Sequence, residues 1–314
     1  MKKIIITGGA GFIGSHLCDE LIKKDYQIVC VDNLITGSED NIKHLKKNKN
    51  FKFAKLDVVK DKIEEKDIDY IFHLASPASP IDYQNYPEET ALVNSVGTIN
   101  ILNLARKTGA RVLIASTSEV YGDPKEHPQK ESYWGNVNSF GPRSCYDESK
   151  RFAETMTYIY IHKYGVDARI VRIFNTYGPR MKKDDGRVIS NFINQAIEGR
   201  PLTVYGKGDR TRSFCYVSDM IDGIVKAMFT EGLIGEIINL GKPEEYKILD
   251  LAKKIKKLAG SKSKIVFKPP LPDDPEQRRP DISKAKKLLK WQPKVSVDEG
   301  LRKTIEYYRS LKKN

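Results

Sequence analysis

Tyr146 and Lys150 stand four residues apart in Tyr146-Asp147-Glu148-Ser149-Lys150, a spacing that stacks them on one helix face. A free tyrosine titrates near ~10 and is a poor base at neutral pH. A neighbouring ammonium favours the phenolate, and a second positive charge favours it further. Lowering the phenol by about three units takes ~4 kcal/mol, within reach of two close cations. The same spacing on a solvated helix is an ordinary surface pair, so context decides its meaning. Here Ser116-Thr117-Ser118-Glu119 precedes it, with hydroxyls and a carboxylate in one run.

A second group of residues supplies more context. Gly9, Gly11 and Gly14 satisfy G-x-G-x-x-G, and Gly8, Gly11 and Gly14 satisfy G-x-x-G-x-x-G, directly after an apolar run. Glycines here permit a tight turn and let the backbone approach a pyrophosphate at a helix N-terminus. Asp32 ends the next β-rich run, where a carboxylate accepts from ribose hydroxyls and repels a 2′-phosphate. Asn33 follows, with no adjacent arginine to reverse that choice. NAD is therefore expected over NADP. Asp57 ends a further run and is expected near the adenine edge.

The elements that must position these groups alternate. Residues 3–7, 27–32, 52–57, 70–74, 111–116 and 168–174 read as strands, and 12–24, 88–107 and 147–164 carry helical spacing. Such alternation implies an α/β fold with a doubly wound parallel sheet of the Rossmann kind. After Gly178-Pro179-Arg180 the pattern loosens, which predicts a smaller mixed α/β substrate domain. The expected division is 1–180 plus about 213–242 for the cofactor, and about 181–212 plus 243–314 for the substrate, with a cleft between them.

Several stretches are more specific than either motif. They are His73-Leu74-Ala75-Ser76-Pro77-Ala78-Ser79-Pro80, Thr117-Ser118-Glu119-Val120-Tyr121-Gly122-Asp123-Pro124 and Cys145-Tyr146-Asp147-Glu148. Arg172 through Arg180, Asp185-Gly186-Arg187-Val188, Leu202-Thr203-Val204-Tyr205-Gly206 and Arg278-Arg279-Pro280-Asp281-Ile282 extend the pattern. With these the chain resembles the extended short-chain dehydrogenase/reductase family, and most of all its UDP-glucuronic acid decarboxylases (UDP-xylose synthases). The resemblance runs from residue 3 to about 308.

That resemblance implies NAD-dependent conversion of UDP-glucuronate to UDP-xylose through a C4-keto intermediate, with NAD regenerated and no metal. Tyr146 would take the C4 hydroxyl proton, Lys150 would hold the nicotinamide ribose, and Thr117 or Ser118 would bond that hydroxyl. Glu119 would serve as acid/base or orient a water near C5. Phe12, Ile13, Val58, Leu74 and Ser76 would line the cofactor beside the glycines. Asn175, Val188, Thr203, Tyr205, Arg212 and Tyr216 would bind the nucleotide end, and Arg187 either the cofactor phosphate or the substrate. Tyr205 is otherwise a packed strand residue, and Arg212 a surface ion pair. Arg278 is the candidate for the glucuronate carboxylate, since a guanidinium fork matches it. The alternative is that Arg278 pins its own segment through Asp273 or Asp274. Leu92 stands where the family often has lysine, a departure that touches one substrate contact.

Other readings share the oxidised C4. A 4,6-dehydratase places Asp before the Glu, where Ser118 stands here. A 4-epimerase has no clear need for both Glu119 and Arg278, and a non-catalytic NAD-binding protein would not need the Tyr146, Lys150 and Glu119 set.

Composition agrees. In 314 residues, 39% hydrophobic content provides for a normal core. No apolar run approaches the ~20 residues of a membrane span, and glycines follow the start too soon for a signal peptide. The four cysteines form no CxxC pair, so they read as buried thiols. A soluble, cytoplasmic homodimer is expected, its dimer helices being those at 88–107 and 147–164. The net charge of +13 raises the question of nucleic acid, and residues 242–314 hold 21 Lys and Arg against 10 Asp and Glu. Yet Lys253, Lys254, Lys256 and Lys257 interleave with Leu251, Ile255 and Leu258, as on the wet face of an amphipathic helix, so no nucleic-acid partner is expected.

Asp32→Ala should weaken NAD binding by more than it weakens NADP binding. Equal losses in parallel titrations would remove Asp32 from the ribose site.

Overall fold

The computed structural model describes residues 1–270 and 275–312. Runs such as Ile4-Ile5-Ile6 are apolar without alternation because both faces of their sheet are covered. The first six strands are β1 (Lys3–Thr7), β2 (Gln27–Val31), β3 (Phe51–Ala54), β4 (Tyr70–His73), β5 (Arg111–Thr117) and β6 (Ala168–Ile173). With Ile237–Leu240 they form one seven-stranded sheet, in the order Ile237–Leu240, β6, β5, β4, β1, β2, β3. Every pairing in it is parallel. The chain leaves β1 in one direction and returns to β4 on its other side, which opens a crevice at the C-terminal ends of these strands.

Helices cover the sheet. Of α1 (Phe12–Ile22), α2 (Pro80–Asn85), α3 (Pro87–Leu92), α4 (Thr98–Thr108), α5 (Ser144–Tyr164), α6 (Val188–Ile197) and α7 (Val217–Phe229), it is α1, α4, α5 and α7 that pack on its strands, while α6 packs on Leu202–Tyr205. The helix expected at 88–107 is two, joined by a wide π turn at Val93–Gly97 where Gly97 lies against Val58. Four expected strands end one to three residues early, and Asx turns bend the chain after two of them. Asp32 Oδ1 accepts from Leu34 N–H at 2.8 Å, and Asp57 Oδ1 accepts from Val59 N–H at 2.9 Å.

Beyond the sheet, Leu202–Tyr205 pairs with Ile265–Lys268. Thr211–Ser213 lies between Glu245–Lys247 and Gln277–Arg278. This arrangement carries Tyr205, Arg212 and Arg278 over the open end of the parallel sheet. The lysine-rich helix Ile248–Leu258 buries Leu251, Ala252 and Ile255, leaves Lys253 and Lys257 exposed and keeps Lys254 and Lys256 half-buried. No helix among the described residues is long and apolar enough to cross a membrane.

Asp219 in the first turn of α7 anchors the returning C-terminal segment. Its carboxylate accepts from the N–H groups of Lys294 and Val295 at 2.9 and 2.8 Å, and its carbonyl from Trp291 Nε1 at 3.0 Å. Asp219→Ala strands two backbone donors and should lower stability by ~2–4 kcal/mol in a denaturant titration. A midpoint equal to wild type would show that the segment is held elsewhere.

Candidate active site

The turn after β1 is shaped by close contact. A Cβ at Gly14 would lie 2.1 Å from the Gly8 carbonyl oxygen. Gly8 itself has φ +70°, and a Cβ there would meet the Leu74–Ala75 backbone at 2.8 Å. Only glycine lets this loop lie between β4 and the start of α1. That helix begins with no side-chain cap and no acidic residue in its first turn, so its leading N–H groups suit an anion. Asp32 is buried beside the loop, its Oδ2 accepting from Ala10 N–H at 3.0 Å. Burial raises its pKa, and the two backbone donors partly offset that rise. A pyrophosphate cradle beside a buried carboxylate fits a dinucleotide with free ribose hydroxyls.

One cleft of about 1050 Å³ collects nearly all of the expected site residues. Gly8, Gly11, Phe12, Ile13, Gly14, Asp32, Asn33, Asp57, Val58, Leu74 and Ser76 line one part. Thr117, Ser118, Glu119, Tyr146 and Lys150 line the middle, and Asn175, Arg187, Val188, Thr203, Tyr205, Arg212 and Arg278 the remainder. Leu92 lines it too, partly exposed. Tyr216 stands apart. Its buried ring packs edge-on against Tyr177 at 5.6 Å, with Lys303 Nζ 5.7 Å from its centre, because it caps α7 from inside the core.

The electrostatics of the middle group differ from the sequence expectation. Lys150 Nζ donates to the Ala115 carbonyl at 2.8 Å and lies 5.8 Å from the Tyr146 ring centre. Burial lowers its pKa to about 7, against the opposing pull of Glu154. Burial likewise pushes Tyr146 well above the ordinary phenol, although a hydrogen bond with Thr117 works the other way. Lys150 alone therefore does not make a phenolate of Tyr146. Desolvation outweighs it.

Arg278 is fully buried and its Nη1 pairs with Glu119 Oε1. Asp273 and Asp274, the other candidate partners, lie outside the described residues. Arg143 Nη2 takes the second oxygen of Glu119. Burial pushes Glu119 up, but the two guanidiniums overcome it and hold the carboxyl at about 2. Glu119 is thus a fixed anion and not a proton donor at neutral pH. Arg212 is buried and not at the surface, its Nη2 donating to the Pro275 carbonyl at 2.5 Å and its Nη1 to that of Thr211 at 2.8 Å. Tyr205 is 39% exposed at a strand end and is not core. Arg187 is half-buried and paired with Asp185 at 2.7 Å.

Sequence reasoning missed three residues here. Tyr83 stacks on Tyr146 at 5.1 Å between ring centres, 8° from parallel. Arg143 reaches over Tyr83 at 5.9 Å, and its Nε lies 3.8 Å from Asp147 Oδ2. Asp147 is buried with Oδ1 lacking any hydrogen-bond partner among the described residues. Arg143 stands one turn before Tyr146, the only hint the sequence holds of its role.

A parallel sheet with a glycine loop at its crevice, and a tyrosine and lysine on one helix beside it, defines an extended short-chain dehydrogenase/reductase. The family model described as GDP-mannose 4,6 dehydratase matches residues 5–304. UDP-glucuronic acid decarboxylase 1 of Danio rerio is 54% identical over 98% of this chain and 72% of its own length. UDP-glucuronic acid decarboxylase 3 of Arabidopsis thaliana is 52% identical over 98% of this chain and 89% of its own. Among solved structures, the UDP-glucuronic acid 4-epimerase of Bacillus cereus, in complex with UDP-glucuronic acid and NAD, gives a TM-score of 0.91 at 33% identity, covering 98% of this chain and 99% of that one. The chain belongs to the UDP-glucuronic acid decarboxylase family.

Burial, followed by the negative charge of Glu119, raises Asp147 to about 7 in the face of Arg143. A carboxyl raised by folding contributes stability that is present at low pH and lost as pH rises through its folded pKa. Asp147→Asn stays neutral throughout. Relative to wild type it should therefore gain ~2–3 kcal/mol between pH 5 and pH 8. Denaturant titrations at both pH values measure this, and parallel curves would show that Asp147 is already ionised at pH 5.

Proposed function

We propose that this protein removes CO₂ from UDP-glucuronate and releases UDP-xylose, with NAD held in the cleft and regenerated in each cycle. The observation that carries this reading is identity above one half, over 98% of this chain, with UDP-glucuronic acid decarboxylases. Residues 1–180 with about 213–242 serve the cofactor, and about 181–212 with 243–314 the nucleotide sugar.

NAD⁺ held by the Gly8-to-Gly14 loop, Asp32 and Lys150 would supply a reversible acceptor for the C4 hydride and the positive charge that Tyr146 needs. Tyr146 takes the proton of the C4 hydroxyl, which Thr117 and Ser118 orient. Lys150 steadies the cofactor ribose. A ketone at C4 lies β to the carboxylate at C6, so breaking the C5–C6 bond sends its electron pair to the ketone oxygen. Glu119 stays ionised and orients the water that protonates C5 as the C4 ketone re-forms, the hydroxide left behind taking a proton from solvent. Tyr146 then gives its proton back to O4. Arg278 receives the substrate carboxylate, and Arg212, Asn175, Val188, Thr203 and Tyr205 receive the nucleotide, with Arg187 beside the phosphates. The free cysteines fit a cytoplasmic protein. Leu92, Val96, Phe152 and Ile159 expose apolar surface around α3 and α5, which supports a homodimer formed through this face.

Purified protein given UDP-glucuronate should yield CO₂ and UDP-xylose by mass analysis. UDP-galacturonate with no loss of mass would make the protein a 4-epimerase instead. Tyr146→Phe should still bind substrate but lose single-turnover NADH absorbance by ~100-fold or more. A wild-type amplitude and rate would reject Tyr146 as the base.

A further inference from the structure

Arg278 is not a vacant receptor for a carboxylate. Its Nη1 holds Glu119, its Nη2 donates to the Gly122 carbonyl at 2.6 Å, and its buried Nε has no hydrogen-bond partner among the described residues. A substrate carboxylate arriving here meets a guanidinium that already holds an anion. Two carboxylates sharing one buried cation repel, and displacing Glu119 would strand a buried charge. The exchange becomes feasible only if Glu119 keeps a second cation of its own.

Arg143 is that cation. It occupies the carboxylate oxygen that Arg278 leaves, so Glu119 remains paired when Arg278 lets go. Its place is fixed independently of Arg278. It stands at the start of α5, lies over the Tyr83 ring and approaches Asp147. Glu119, Arg143 and Arg278 all line the main cleft and also a smaller pocket of about 220 Å³ beside it, so they form the partition between the two. That leaves room on either side for the groups to shift.

We propose that Arg143 is the positioning residue that sets the preference for a carboxylated sugar, by keeping Glu119 compensated while Arg278 exchanges Glu119 for the substrate carboxylate. The inference rests on UDP-glucuronate being the substrate, as proposed above. Without Arg143, Glu119 keeps Arg278 as its paired cation, with Arg212 acting only at longer range, and competes with the incoming carboxylate. A sugar lacking that carboxylate asks for no exchange and is indifferent to Arg143.

The test is calorimetric titration of UDP-glucuronate and UDP-xylose into wild type, Arg143→Ala, Arg143→Lys and the double variant Arg143→Ala/Glu119→Gln. Arg143→Ala should weaken UDP-glucuronate by about 30-fold or more and UDP-xylose by no more than about threefold. Arg143→Lys keeps a point charge without the fork and should fall between wild type and alanine. The double variant should recover most of the lost affinity, because no anion remains to hold Arg278. A purely structural role for Arg143 would weaken both ligands alike and would gain nothing from Glu119→Gln, and either result overturns the proposal. Should Arg143→Ala not fold, Arg143→Lys with and without Glu119→Gln carries the same comparison, and an unselective loss again overturns it. Wild-type turnover separates the two levels of inference. If wild type does not convert UDP-glucuronate to UDP-xylose the functional reading fails, whereas a converting wild type with unselective variants removes only the role of Arg143.

Discussion

Two guanidinium groups close on the single carboxylate of Glu119, and the working end of the molecule is organised around that contact. Glu119 follows β5, Arg143 precedes α5, and Arg278 lies on a short strand 159 positions further along the chain than Glu119. Charges taken out of water cost several kcal/mol each, and removing one partner of such a group typically costs ~3–5 kcal/mol. The cluster therefore constrains the start of α5, and with it Tyr146 one turn later. It also fixes where the C-terminal segment crosses the cleft.

Burial then sorts the neighbouring groups by protonation state. Glu119 has two cations and stays an anion, while Asp147, whose cation is shared, sits at about 7. Lys150, sunk under β5, is brought down to about 7, and Tyr146 is pushed up with it. Two carboxyls that both face Arg143 thus take different charges because their surroundings differ, as acid–base sites commonly require. A phenol raised by burial responds strongly to added positive charge, so the base is poised to form when the cofactor is in place.

The sheet's contribution is geometric. Parallel pairing brings the C-terminal ends of β1, β4, β5 and β6 to one edge, and each delivers a different part of the cleft. The glycine loop follows β1, the segment from Leu74 to Ser79 follows β4, Thr117 and Glu119 come at the end of β5, and Asn175 follows β6. Order reversal beside β1 opens the space in which these parts face each other.

Much of this was legible in the sequence because it is local. Apolar runs fix strands, the Gly8-to-Gly14 spacing fixes a turn whose tightest contact, Gly14 against the Gly8 carbonyl, is local, and four-residue spacing stacks Tyr146 and Lys150 on one helix. Asp32 was legible for the same reason, since its position at a strand end can be counted. Partnerships between distant segments were not. Nothing in the order of residues says that Arg278 would grip Glu119, that Arg143 would take the other oxygen, or that Tyr83 would lie flat on Tyr146. Tyr216 matched a pattern of ligand contacts and is instead packed against Tyr177. Protonation states were hidden as well, because they depend on how much water each group loses. Sequence sets which groups are present and how neighbours along the chain are spaced. Only the closed tertiary structure decides which charges share a dry space, and in this protein that sharing decides the state of each group in the site.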